Sequence, residues 1–297
     1  KAGLPKGTVN VLTGPGSVLG EAISASEKVD MVSLTGDTST GKQIMRAGAN
    51  NVKRLHLELG GKAPFIVFDD ANLEAAAQGA VAASMVNGGQ DCTQAARFLV
   101  QEKIYPKFVK RMVELLKTIR IGDPLERSTD LGPLVSDKQR EKVEKYAGIA
   151  KGEGAKLEVG GARPKDKRFD KGWYYLPTLF SDATFDMRIS CEEVFGPIVT
   201  AMSFKTEAEA IEIANGVIYG LYSSGWTKDV HRAFRVANAM RTLLRVAAVV
   251  VYGGRRRDEG AAAVEHRHNR RRTSPCSGWP GLLWWPHVPL ATHPPSA

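Results

Sequence analysis

Apolar and polar positions alternate in several short runs along the chain. Leu55-His56-Leu57-Glu58 alternates and then meets Gly60-Gly61, which predicts a strand closed by a turn. Gly7–Leu12, Val29–Leu34, Phe98–Val100, Lys156–Val159, Ile198–Phe204 and Val217–Gly225 also read as strands. Ala63-Pro64-Phe65-Ile66-Val67-Phe68 is continuously apolar, the pattern of a strand buried on both faces. Elsewhere the period lengthens. Ile104, Phe108, Met112, Leu115 and Ile119 recur at helical spacing with Lys and Arg opposite, and Gly122-Asp123-Pro124 stops that helix. Gly14-Pro15-Gly16-x-x-x-Gly20 and Thr35-Gly36-Asp37-Thr38-Ser39-Thr40-Gly41-Lys42 each lead from a strand into a helix. Asp70 or Asn72 caps an Ala-rich helix, and Ser136-x-x-Gln139 and Thr206-x-x-Glu209 are capping boxes. Strands alternating with helices predict an α/β fold: open, mainly parallel sheets with flanking helices.

Composition separates the body from a tail. The chain has 297 residues and a net charge of +9, room for two domains. From Arg245 onward there are eight Arg, no Lys and three acids, so the tail carries +5 and the body only about +4. That distribution argues against nucleic acid as the main partner, though Arg255–Arg257 and Arg270–Arg272 keep a basic binding protein as one alternative. No apolar run is long enough to cross a membrane. Cys92, Cys191 and Cys276 make no disulfide framework, and a cytoplasmic setting is expected. His266-Arg267-His268 has no partners at zinc-site spacing, so no metal is expected.

The candidate chemistry lies between Glu58 and Cys92. Glu58 ends an apolar strand at a Gly-Gly turn, and Cys92 sits in the Gly-rich loop Asn87-Gly88-Gly89-Gln90-Asp91-Cys92-Thr93. A thiol that attacks a carbonyl and a carboxylate that later takes a proton from water are the parts of acyl-thioester chemistry.

Glu58-Leu59-Gly60-Gly61-Lys62, then Asn87-x-Gly89-Gln90-x-Cys92-(x4)-Arg97, resemble the paired active-site motifs of NAD(P)-dependent aldehyde dehydrogenases. Glu192-Glu193-Val194-Phe195-Gly196-Pro197 is similar to a third landmark of that family, and Tyr219–Thr227 to a fourth. The resemblance covers about residues 1–242. It implies oxidation of a small-molecule aldehyde to the acid with NAD (or NADP), Cys92 as nucleophile and Glu58 as general base. It implies a cofactor site at Gly36, Asp37, Leu59, Gly60, Glu193 and Phe195. Asp37 departs from the family, which places Ser there, and sets a carboxylate where an anion should bind. Arg97 is expected to pair with an acid or a carbonyl and hold the Cys92 loop. Leu55–Phe65, Asp69-Asp70-Ala71 and Gln90–Thr93 are most similar to the bacterial aminobutyraldehyde branch, with betaine aldehyde dehydrogenases the near rival.

The resemblance divides the chain into the rear of a NAD(P)-binding domain (1–58), a catalytic domain (59–242) and an aberrant, disordered basic tail (243–297). Arg, Pro, Gly and Trp without Lys or Ile beyond residue 242 are what GC-rich DNA gives in a shifted frame. The family's second oxyanion donor, adenosine-ribose segment and oligomerisation hairpin fall outside the sequence. Impaired aldehyde oxidation and no clean dimer or tetramer are therefore expected of the chain as it stands. Cofactor-independent ester hydrolysis by Cys92 and Glu58 is the other alternative.

Overall fold

A computed structural model describes residues 3–249 and 263–267. Helix α1 (Gly16–Ala25) precedes strand β1 (Met31–Thr35), helix α2 (Thr38–Gly48) and strand β2 (Arg54–Glu58). β1 and β2 pair in parallel, Ser33 opposite His56 and Thr35 opposite Glu58. The expected strand at Gly7–Leu12 is absent: the segment pairs with nothing among the described residues, and Val9, Val11 and Leu12 are exposed. A strand pattern makes a strand only where a neighbour satisfies its backbone.

The rest of the described chain builds a larger sheet. It contains β3 (Ala63–Val67), α3 (Leu73–Met85), β4 (Ala95–Gln101), α4 (Tyr105–Lys117), α5 (Asp137–Gly152), β5 (Lys156–Val159), β6 (Thr178–Ser181), α6 (Arg188–Cys191), β7 (Ile198–Phe204), α7 (Glu207–Asn215), β8 (Tyr222–Thr227), α8 (Val230–Ala239), β9 (Leu244–Val249) and β10 (Ala263–Arg267). The strand order is β10-β9-β8-β3-β4-β7-β6-β5. The six central strands run parallel, and β10 and β5 are antiparallel edges. β3 and β4 are buried almost throughout because helices cover both faces. One apolar layer joins Phe65, Phe98, Phe108 and Met112; the other joins Ile66, Leu99, Phe180 and Phe204.

Most sequence signals act where expected. Asn72, not Asp70, caps α3 through Ala75 N–H. Asp70 instead accepts from Thr227, the Lys228 and Asp229 N–H groups and Arg232, tying β3 to the β8–α8 turn. The strand expected over Val217–Gly225 begins five residues later, at Tyr222.

Two segments of the tail expected from residue 243 are described, and both are strands. Leu244–Val249 pairs in parallel with Tyr222–Thr227, and Ala263–Arg267 pairs with β9. Leu-Arg-Val-Ala-Ala-Val suits a pleated strand whatever its composition history, and β8 offers it an edge. The arginine runs Arg255–Arg257 and Arg270–Arg272, and the rest of the expected tail, lie outside the described residues.

Candidate active site

One cleft of about 560 Å³ is lined by Thr35, Gly36, Asp37, Glu58, Leu59, Gly60, Gln90, Asp91, Cys92, Gln139, Lys142, Glu193 and Phe195. All eight residues singled out in the sequence are among them. The cleft sits between two sheets. β1 and β2 deliver Thr35 and Glu58 at their C-terminal ends, while the segments entering β3, β4 and β7 deliver Gly60, Cys92 and Glu193.

The Cys92 loop is shaped by backbone that few residues tolerate. Asn87, Gly88 and Gly89 all have positive φ, and a Cβ on Gly89 would lie 2.1 Å from the Gly196 oxygen. Asn87 Nδ2 donates to the Gln90 oxygen, and Gln90 Nε2 returns a bond to the Asn87 oxygen. Asp91 Oδ1 then accepts from the Thr93 N–H at 2.7 Å and its hydroxyl at 2.8 Å, setting the turn that carries Cys92. Gln94 Nε2 donates to the Ser84 and Gly196 oxygens, anchoring the loop to the Glu-Phe segment.

Cys92 is half-buried. Burial pushes its thiol above the ordinary 9.0, and the carboxylates of Asp91, Glu193 and Glu58 push the same way, while its own backbone N–H opposes them. The resting group at neutral pH is therefore the thiol.

The turn after β2 packs against both other parts of the cleft. A Cβ on Gly61 would lie 2.0 Å from the Cys92 oxygen, and one on Gly60 would lie 2.3 Å from Glu193 Oε2. Gly61 N–H donates to Glu193 Oε1 at 2.9 Å. Burial raises the Glu193 carboxyl above its usual range, against the pull of that N–H, Lys142 and Lys62. Leu59 fills the space a side chain at Gly41 would need, fixing the turn onto α2. Arg97 is buried and donates to the Lys62, Ile213 and Ala214 oxygens. Its partners are all carbonyls, and it holds the Gly-Gly-Lys turn rather than the Cys92 loop directly. Lys62 is wholly enclosed, and burial with the Arg97 charge pushes its ammonium down to about 7.

Asp37 occupies the N-terminus of α2 itself. Its Oδ1 accepts from the Ser39 N–H and hydroxyl, which lowers its pKa, and Lys142 lowers it further. The carboxylate serves as a helix cap, so part of that anion-binding end is already taken.

Phe195 adopts φ +61°, costly for a residue with a side chain. Gln139 holds it there, donating to the Val194 and Phe195 oxygens. Ser136 caps α5 as its motif predicts, but the Gln139 side chain does not return to the cap; the Glu-Phe loop recruits it.

A model described as the aldehyde dehydrogenase family matches residues 1–253. The chain belongs to the aldehyde dehydrogenase family. The match runs past residue 242, where the resemblance was expected to stop, and takes in all of β9. Betaine aldehyde dehydrogenase of Bacillus subtilis (strain 168) is 46% identical over 241 residues, 81% of this chain and 49% of that protein. Peroxisomal aminoaldehyde dehydrogenase 2 of Pisum sativum is 42% identical over 241 residues, again 81% of this chain and 48% of that protein. A solved betaine aldehyde dehydrogenase from Staphylococcus aureus in complex with NAD+ superposes with a TM-score of 0.81 at 43% identity, covering 82% of this chain and 48% of that one. The chain spans about half the length of the curated relatives it matches.

The sequence motifs located every wall of the cleft except α5. Gln139 and Lys142 reach it from a helix that the sequence marks only by its capping box. Their i, i+3 spacing puts both on one side, a signal too common to single out. Among the described residues no group of three or more His, Cys, Asp and Glu could hold a metal ion, and no helix is long and apolar enough to cross a membrane.

Proposed function

We propose that this chain carries the thiol and general-base half of an NAD-dependent aldehyde oxidoreductase, with a cationic aminoaldehyde as substrate. The observation that carries the reading is the shared cleft: Cys92, Glu58 and the six cofactor candidates all line it. The Cys92 thiolate adds to the aldehyde carbon, and the Cys92 backbone N–H beside the sulfur is a donor for the oxyanion that forms. Once the carbon is oxidised to the thioester, Glu58 takes a proton from water. The resulting hydroxyl displaces the Cys92 thiolate and releases the acid.

The cleft fits the nicotinamide half of NAD, because the Glu193 carboxylate, packed where a side chain at Gly60 would otherwise stand, lines it together with Leu59 and Phe195. Glu193 would hold the ribose diol, Phe195 and Leu59 would pack against that half, and Gly36 would border the phosphates. Bound there, NAD supplies the hydride acceptor. Asp37, Glu58, Asp91 and Glu193 face Lys142 across the lining, and this acidic excess favours an aldehyde bearing a positive charge. The names of the relatives, betaine and aminoaldehyde dehydrogenases, point the same way. We also propose that residues 1–58, with the separate β1–β2 sheet, belong to the cofactor-binding part, and that the catalytic part begins at Leu59.

The test is reduction of NAD, with NADP alongside, by 4-aminobutyraldehyde and by betaine aldehyde. Cofactor reduction abolished by Cys92→Ala is the expected result. Reduction that survives Cys92→Ala undiminished would overturn the reading.

A further inference from the structure

His56 stands on the exposed side of β2, and its surroundings give it a purpose. It lies two residues before Glu58 on β2, so both side chains leave the same face of the strand. His56 Nε2 stands 3.5 Å from Glu58 Oε1. On its other side His56 Nδ1 lies 3.0 Å from the Ser33 hydroxyl. The parallel register sets Ser33 directly opposite His56, so this second contact is fixed by strand pairing rather than by a mobile loop. The imidazole is 56% exposed and reaches solvent, while Glu58 turns into the cleft.

We propose that His56 is a positioning and proton-relay residue for Glu58, with Ser33 fixing its ring. The inference rests on the reading of Glu58 as the base that activates water. A base that accepts a proton in each turnover must lose it before the next. With Nδ1–H donating to the Ser33 oxygen, the Nε2 lone pair faces Glu58. Water gives its proton to the Glu58 carboxylate as its oxygen bonds to the thioester carbon. The carboxylic acid passes that proton to Nε2. The imidazolium then sheds its Nε2 proton to solvent while its Nδ1–H stays on the Ser33 oxygen, and carboxylate and imidazole are both restored.

The charged neighbours are few. Arg54 shares the strand face, β1 is Met-Val-Ser-Leu-Thr without a charge, and α2 packs through Gly48 and Gly41 against Leu55 and Leu59 on the opposite side. Glu58 is thus the carboxylate that the imidazole serves.

The experiment separates two steps of one reaction. Nitrophenyl acetate is mixed with the parent chain, with His56→Gln and with Ser33→Ala, and acetylated Cys92 is followed by mass spectrometry. Acylation should be equal in all three, because the relay plays no part in it. Deacylation should slow roughly tenfold in His56→Gln, short of the 10²–10⁴-fold scale of a direct acid–base group. Ser33→Ala should show a smaller loss of the same step. Added imidazole should restore deacylation in His56→Gln in proportion to its concentration, which a purely structural defect would not allow. Deacylation unchanged in His56→Gln, or slowed but indifferent to imidazole, would overturn the inference and leave the reading of Cys92 and Glu58 intact. No acetyl group on Cys92 of the parent chain would overturn both.

Discussion

At the scale of single residues the site is a balance of charges around a thiol. Burial and Asp91 together keep Cys92 protonated, and a nucleophile in that state gains reactivity as pH rises. Alkylation of Cys92 by iodoacetamide should therefore climb about tenfold per pH unit up to the raised pKa. Asp91→Asn keeps the acceptor that Thr93 needs but removes the charge. It should move the alkylation profile to lower pH and speed the reaction at neutral pH by roughly threefold. An unmoved profile would show that the Asp91 charge does not act on the thiol. Cys92 and Glu58 could be paired from the sequence because few residue types suit the proposed chemistry and both stand within three positions of a glycine. Lys62 was not: the string Gly-Gly-Lys does not say that the ammonium is enclosed and pushed down to about 7. Nor could the sequence show Asp37 turned onto its own helix, since capping and anion competition use the same residue at the same place.

At the scale of elements, the site depends on two turns that touch. The Gly60-Gly61 turn and the Cys92 loop approach so closely that no side chain fits between Gly61 and the Cys92 oxygen. Gly61→Ala should displace the Cys92 backbone and lower ester and aldehyde turnover by about 10²-fold, the cost of misplacing a reacting group by about an ångström. Its melting temperature, followed alongside, separates displacement from unfolding; turnover equal to the parent would mean that the loop yields freely. The elements themselves were mostly readable. β3 declared itself by an unbroken apolar run, and α4 by its period. Three signals failed for one reason, that partners decide what a local pattern becomes. Gly7–Leu12 has strand residues and no neighbour to pair with among the described residues. Leu244–Val249 sits in a stretch of unpromising composition and pairs because β8 is there. Gln139 has capping-box spacing and is drawn to the Phe195 loop instead.

At the scale of the molecule, function arises where two sheets meet. The β1–β2 pair ends at the cleft and the eight-stranded sheet begins there, so the chain passes through the site as it leaves one sheet for the other. This arrangement brings a carboxylate and a thiol, 34 positions apart, to one cavity. The family resemblance in the sequence located that meeting point; the cleft's acidic lining and the role of α5 needed the folded chain. The central claim is that the two groups act in succession on one acyl carbon. Its most direct measurement is mass spectrometry of the Glu58→Gln chain after nitrophenyl acetate. The account predicts one acetyl group, on Cys92, persisting while the parent chain turns over. An adduct on Cys191 instead, or release from Glu58→Gln as fast as from the parent, would contradict it.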